Sequence, residues 1–93
     1  MIEPEQVRAA RALLSWSQAD LANRSGINRR TLMNFENGTA MPMEATLYRI
    51  EEVLNLAGVQ TIRNHDGGIG VFLSYESLLE GRLKQSAENF ERE

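Results

Sequence analysis

Ser17 to Gly38 reads SQADLANRSGINRRTLMNFENG, and its punctuation decides the fold. Ser17 is a good N-cap, because its side-chain oxygen can accept from the orphan amides of a first helical turn. Gln18, Leu21, Ala22 and Ser25 then carry one short helix. Gly26 is placed to end it, since glycine takes the left-handed stop without a steric penalty. Asn28 can cap a second helix over Arg29 to Glu36, and Asn37-Gly38 stops that one. Two short helices joined by a Gly-containing turn make a helix-turn-helix. Ala22 is small where the helices must cross, while Leu21, Ile27, Leu32 and Phe35 are apolar where the unit must meet a core.

The same stretch resembles the lambdoid-phage-repressor, or Xre, family of DNA-binding domains, whose pattern runs S-Q-x-x-L-A-x-x-[SA]-G-[VI]-[ST]-x-x-T-[IL]-x-x-[IF]-E-x-G. The match runs through both helices, and the family's wider domain corresponds to roughly residues 4 to 58. In the resembling repressors the positions matching Arg29, Arg30 and Asn34 are the main base readers. The chemistry suits the role: Arg forks onto O6 and N7 of guanine, and Asn can pair with N6 and N7 of adenine. The position matching Gln18 holds a phosphate, and Asn28, Thr31 and Thr39 fit phosphate or base contacts. Two adjacent arginines on an exposed helix are ordinarily solvated charge; their place at the start of this helix favours DNA. Arg11 sits where the family carries an Arg paired with the Glu that ends the recognition helix, here Glu36. A guanidinium bidentate to that carboxylate could pin the first helix to the third; the alternative is two solvated charges.

Working outward, Pro4 suits the first turn of a helix, and Val7, Ala10, Leu13 and Leu14 recur at helical spacing, predicting helix 1 over about 4 to 14. Trp16, beside Leu13, Leu14 and Leu21, is expected in the core rather than stacked on a base. Pro42 fits the start of a fourth helix over about 43 to 57, with Leu47, Ile50, Val53 and Leu54 as its inner stripe and Gly58 as its stop. Met41 and Met43 read as gap fillers or interface residues, core or partial burial being expected. Beyond residue 58, Val59 to Ile62 and Ile69 to Leu73 read as two short strands around a loop, Asn64 to Gly68. A similar segment follows the first domain in many short bacterial Xre-like regulators. His65 falls in that loop and is a turn residue, not a catalytic or metal group. Ser74 can cap a last helix whose stripe is Tyr75, Leu79, Leu83, Ala87 and Phe90, weakened by Gly81. That stripe is either a self-association or partner surface, or part of a frayed tail.

The expected architecture is therefore mainly α: a four-to-five-helix repressor-like helix-turn-helix domain with a small C-terminal β-hairpin and a terminal amphipathic helix. Its parts are a DNA-binding domain over 1–58, a hairpin extension over 59–73 and a C-terminal helix or tail over 74–93. Ninety-three residues suffice for one modest core, and the lack of cysteine excludes a disulfide scaffold or thiolate metal site. No apolar run approaches the ~20 residues of a membrane span, and Met1 to Pro4 does not read as a signal peptide, so a cytoplasmic setting is expected. The net charge of −3 runs against nucleic-acid binding. Residues 1–58, however, hold six Arg against seven acidic groups, and residues 59–93 hold four basic against six acidic, so the excess acid sits mostly in the tail.

These features make a sequence-specific regulator of transcription, most readily a repressor, the first expectation. It would act as a homodimer on inverted-repeat duplex DNA, with no membrane partner. The other expectations are a helix-turn-helix fold that grips a regulatory protein, as an antiactivator, and an antitoxin that covers a toxin with its tail. No nucleophile–base pair, phosphate loop or metal cluster is present in the sequence, so neither catalysis nor a cofactor or metal is expected.

Overall fold

The computed structural model describes residues 1–92, with side chains as far as Glu88. In chain order it runs α1 Pro4–Leu14, α2 Gln18–Ser25, α3 Arg29–Glu36, α4 Glu44–Leu56, β1 Val59–Arg63, β2 Ile69–Leu73 and α5 Tyr75–Arg92. The architecture is mainly α, with one antiparallel two-stranded sheet.

Each helix end has a local cause. The Glu3 amide donates to Gln6 Oε1 at 2.9 Å, which closes the start of α1 ahead of Pro4. Ser15 takes a left-handed turn (φ 58°), so that the Trp16 amide donates back to the Arg11 carbonyl at 2.9 Å. Ser17 and Asp20 cap α2 reciprocally: the Asp20 amide donates to Ser17 Oγ at 3.0 Å, and the Ser17 amide to Asp20 Oδ2 at 2.9 Å. Gly26, at φ 68°, ends α2, and Asn28 Oδ1 accepts from the Arg30 amide at 2.8 Å to begin α3.

The core draws on every element before the hairpin loop. Val7 and Ala10 come from α1, Leu21 and Ala22 from α2, Leu32 and Phe35 from α3, Leu47, Ile50 and Leu54 from α4, and Val59 from β1. Ile2 joins them from the N-terminal segment. Burying each of the larger side chains contributes about 1.5–3 kcal/mol. Ile27, Leu14, Trp16 and Val53 pack half-buried around this centre. Trp16 thus keeps one side on the core, and the Arg24 guanidinium carbon lies 4.3 Å from its ring centroid.

Two expectations are corrected. Met41 and Met43 are both exposed, because α4 begins only at Glu44 and its inward stripe at Thr46 and Leu47. Pro42 and the two methionines therefore lie on a surface loop with no core-facing position. Leu13 is exposed as well: it borders a cleft of about 610 Å³ that separates the α1–α2 end from α5.

The hairpin pairs Val59 with Leu73, Thr61 with Val71 and Arg63 with Ile69, so these six share one face. Val59 is buried and Val71 and Leu73 pack on the core, which makes this the inner face. Gln6, itself buried, fastens the sheet to α1 by donating through Nε2 to the carbonyls of Ile62 and Gly70 at 3.2 and 3.0 Å. Thr61 Oγ1 donates to Glu51 of α4 at 3.2 Å, and Arg63 pairs with Glu3 at 3.0 Å. After β2 the Ser74 amide donates to the Gly58 carbonyl at 2.9 Å, and Ser74 Oγ accepts from the Ser77 amide at 3.2 Å to start α5. Among the described residues no helix is long and apolar enough to cross a membrane.

Candidate nucleic-acid interface

The inner side of α3 is set by Leu32, Phe35 and Glu36, all buried. At about 100° per residue, Arg30 and Asn34 fall on the opposite side, and Arg29 with Met33 forms the neighbouring row. Arg29 and Arg30 are exposed; Thr31, Met33 and Asn34 are half-buried. The outward surface of α3 is thus two guanidinium groups followed by one amide and one thioether.

The end of α3 is held from α1. Arg11 Nε donates to Glu36 Oε2 at 2.9 Å and Arg11 Nη2 to Glu36 Oε1 at 2.6 Å, while Nη1 donates to the Trp16 carbonyl at 3.0 Å. Arg8 adds a hydrogen bond from Nη1 to the Glu36 backbone carbonyl. Glu36 is 1% exposed, so its carboxylate exchanges water for this fork. The consequence is electrostatic as well as mechanical. Glu36 is the sole acid of α3, and with it buried against Arg11 every exposed charge on that helix is positive.

The remaining candidates are dispersed around this helix. Gln18 is half-buried at the start of α2, and its Nε2 lies 3.5 Å from Glu36 Oε1, a long contact. Asn28 is engaged as the α3 cap. Thr39 closes the far end: its amide and hydroxyl donate to the Asn34 carbonyl at 2.9 and 3.0 Å. Tyr75, Leu79 and Leu83 are exposed on α5, and the Phe90 side chain lies outside the described residues. Beside the capped start of α2, the Ser17 amide and hydroxyl, helped by Arg24, hold the Asp20 carboxyl below the usual carboxylate range.

Two residues of this region escaped the reading of the sequence. Met33 follows Arg29 by four residues, a spacing that already places both on one row. Arg8 precedes Arg11 by three, and that shared face was the available sign that both could reach Glu36.

A small helical domain with a capped helix-turn-helix and a cation-only outer helix is the arrangement of a helix-turn-helix module of the DNA-binding type. Residues 7–58 match the Helix-turn-helix family, and the chain belongs to that family in its Xre-like form. Over 61 residues it is 33% identical to an Archaeoglobus fulgidus protein named "Putative HTH-type transcriptional regulatory protein". That stretch is 66% of this chain and 19% of the relative, so the chain spans about a fifth of that protein's length.

Proposed function

We propose that the protein is a sequence-specific transcriptional repressor that reads the major groove with α3. The observation that carries this reading is the outward face of α3, where Arg30 and Asn34 stand opposite the buried Leu32, Phe35 and Glu36, with Arg29 and Met33 in the row beside them. Arg30 and Asn34, one turn apart and pointing directly away from the core, take a guanine and an adenine respectively. Arg29 reads a neighbouring guanine or holds a phosphate, and Met33 supplies an apolar contact to a thymine methyl. The start of α2 around Gln18 takes a backbone phosphate at its free amides, with Asn28, Thr31 and Thr39 flanking the groove. Repression follows from occupancy, because a protein seated on a promoter excludes polymerase. Two copies related by a two-fold axis would read half-sites about 34 Å apart.

Selection of bound duplexes from random DNA should yield an inverted repeat, and footprinting should place it at a promoter. Arg30→Ala and Asn34→Ala should each weaken binding by about 1–3 kcal/mol and relax preference at one base pair per half-site. Unchanged affinity and unchanged sequence preference in both variants would remove α3 from the recognition role. Absence of retention on any duplex at low salt, together with tight capture of a single transcription factor, would move the protein to the antiactivator class. Capture of a toxin encoded next to it would make it an antitoxin.

A further inference from the structure

Among the described residues, half of the large apolar side chains left exposed lie between residues 62 and 83, and five of them line one outward surface. Gln60, Ile62, Gly70 and Phe72 share the sheet face opposite the core-facing one. Among the described residues no helix covers that face: Ile62 is 47% and Phe72 54% exposed. On α5 the cleft-facing residues include Ser77, Leu78, Gly81 and Gln85. Tyr75, Leu79 and Leu83, spaced by four, form a stripe on the other side and are 72%, 40% and 61% exposed. Phe72 and Tyr75 are three residues apart, so the sheet face runs into the helix stripe within about 10 Å.

We propose that this surface is the interface with a second copy of the chain, in which the α5 stripe of each protomer lies over the outer sheet face of the other. The chain carries both halves of a helix-on-sheet layer and cannot join them within one protomer. Ser74 alone separates β2 from α5, and its bonds to Gly58, Ser77 and Leu78 set α5 leaving the sheet with its other side turned to α1 and α2. Across a two-fold axis the same two surfaces become mutual covers, each residue meeting its counterpart twice, as an isologous contact requires. The area is of the right order. The five side chains expose roughly 500–600 Å² per protomer, and their polar borders bring this toward the roughly 800 Å² per partner of a standard stable interface.

The location also bears on recognition. On α1, Gln6 holds the hairpin and Arg8 holds the end of α3, and two helical positions put them about 200° apart around the axis. A copy seated on the outer face of the hairpin therefore lies across α1 from the end of α3 that Arg8 holds. The inference rests on the two-fold reading of an inverted repeat, and it can fail independently of it.

Equilibrium sedimentation of the full chain should give twice the 10.5 kDa chain mass. Phe72→Glu and Leu79→Glu, both at exposed positions, should keep the helical circular-dichroism signal and raise the dimer dissociation constant by roughly 30-fold or more. Met41→Glu, an exposed apolar position on the loop after α3, should leave the dimer intact. Arg30→Ala should weaken and relax DNA recognition and leave the mass unchanged. A wild-type monomer, or a dimer indifferent to both Phe72→Glu and Leu79→Glu, or one dissociated equally by Met41→Glu, overturns the assignment. A dimer that behaves as expected but ignores every duplex refutes the DNA reading alone.

Discussion

Arg11→Ala isolates what holds the recognition helix. The substitution removes both guanidinium donors from Glu36 and leaves, among side chains, only Gln18 Nε2 at 3.5 Å. Glu36 is 1% exposed, so water does not readily replace the lost fork. Breaking a buried ion pair from one side ordinarily destabilises by about 3–5 kcal/mol. Arg11 is itself 19% exposed, and the space it vacates opens toward solvent, which places the expected loss near the lower end, about 3 kcal/mol. A domain of this length is stable by only about 5–14 kcal/mol, so the fraction lost is large. At about 4–8 °C per kcal/mol, the midpoint of thermal unfolding should fall by roughly 12–25 °C.

The assay is urea and thermal unfolding followed by the fluorescence of Trp16, the single tryptophan, and by far-ultraviolet circular dichroism. The companion is Arg11→Met with Glu36→Leu, which replaces the pair by apolar side chains. Since desolvating two charges offsets most of their attraction, the double variant should lie within about 1 kcal/mol of wild type, or above it. A loss below about 1 kcal/mol in Arg11→Ala would class the pair with solvated surface bridges. A double variant as unstable as the single one would show that packing, not stranded charge, explains the loss. Either result refutes the electrostatic account of how α1 holds α3.

Gly58→Ala places a Cβ 2.0 Å from Ser77 Oγ and 2.6 Å from Ser77 Cβ, at φ 97°, so it should cost more than about 1 kcal/mol. Gly58→Ala with Ser77→Gly should recover only part of that loss in urea unfolding, because the backbone strain remains. Gln6→Leu removes the donor to the Ile62 and Gly70 carbonyls and should cost about 1–2 kcal/mol, read as faster amide exchange in β1 and β2 before α2 and α3. The folded-state pKa of Asp20 lies below its unfolded value, chiefly through the Ser17 amide, so its contribution is fully present above the unfolded pKa and is lost as pH falls through the folded one. Urea midpoints measured from about pH 5 down to about pH 2 should therefore decline less steeply in Asp20→Asn than in wild type.

The elements were legible where chemistry is local. Ser17, Gly26, Asn28 and Gly58 each mark a helix end through a cap or a positive φ, and such signals need no knowledge of the rest of the chain. The strands were legible because their apolar residues are bounded by Gly58 and by the loop from Asn64 to Gly68. Burial at the edges of the core was not. Met41 and Met43 have apolar side chains, but only the start of α4 at Glu44 decides that they face water. Leu13 fits the helical period of α1 and still lies exposed, because α5 stands off from it. Gln6 was illegible for the opposite reason: a polar side chain is buried because two carbonyls more than fifty residues away need its amide.

The charge of the chain shows the same separation between a sum and a site. A net charge of −3 describes the whole molecule, whereas a phosphate responds to charges within a screening length of about 8–10 Å at moderate salt. Two acids are paired with cations before DNA enters: Glu36 with Arg11 and Glu3 with Arg63. Glu76, Glu80 and Glu88 ride on α5, outside the helix-turn-helix, with Glu88 bordering the cleft that α5 shares with Trp16 and Asp20. What remains exposed on α3 is Arg29 and Arg30. An acidic protein can present a cationic reading head when its acids are paired in folding or lie off the reading helix. In this chain the same Glu36 that fastens α3 is also that helix's one acid, and its burial against Arg11 withdraws that charge from the helix surface.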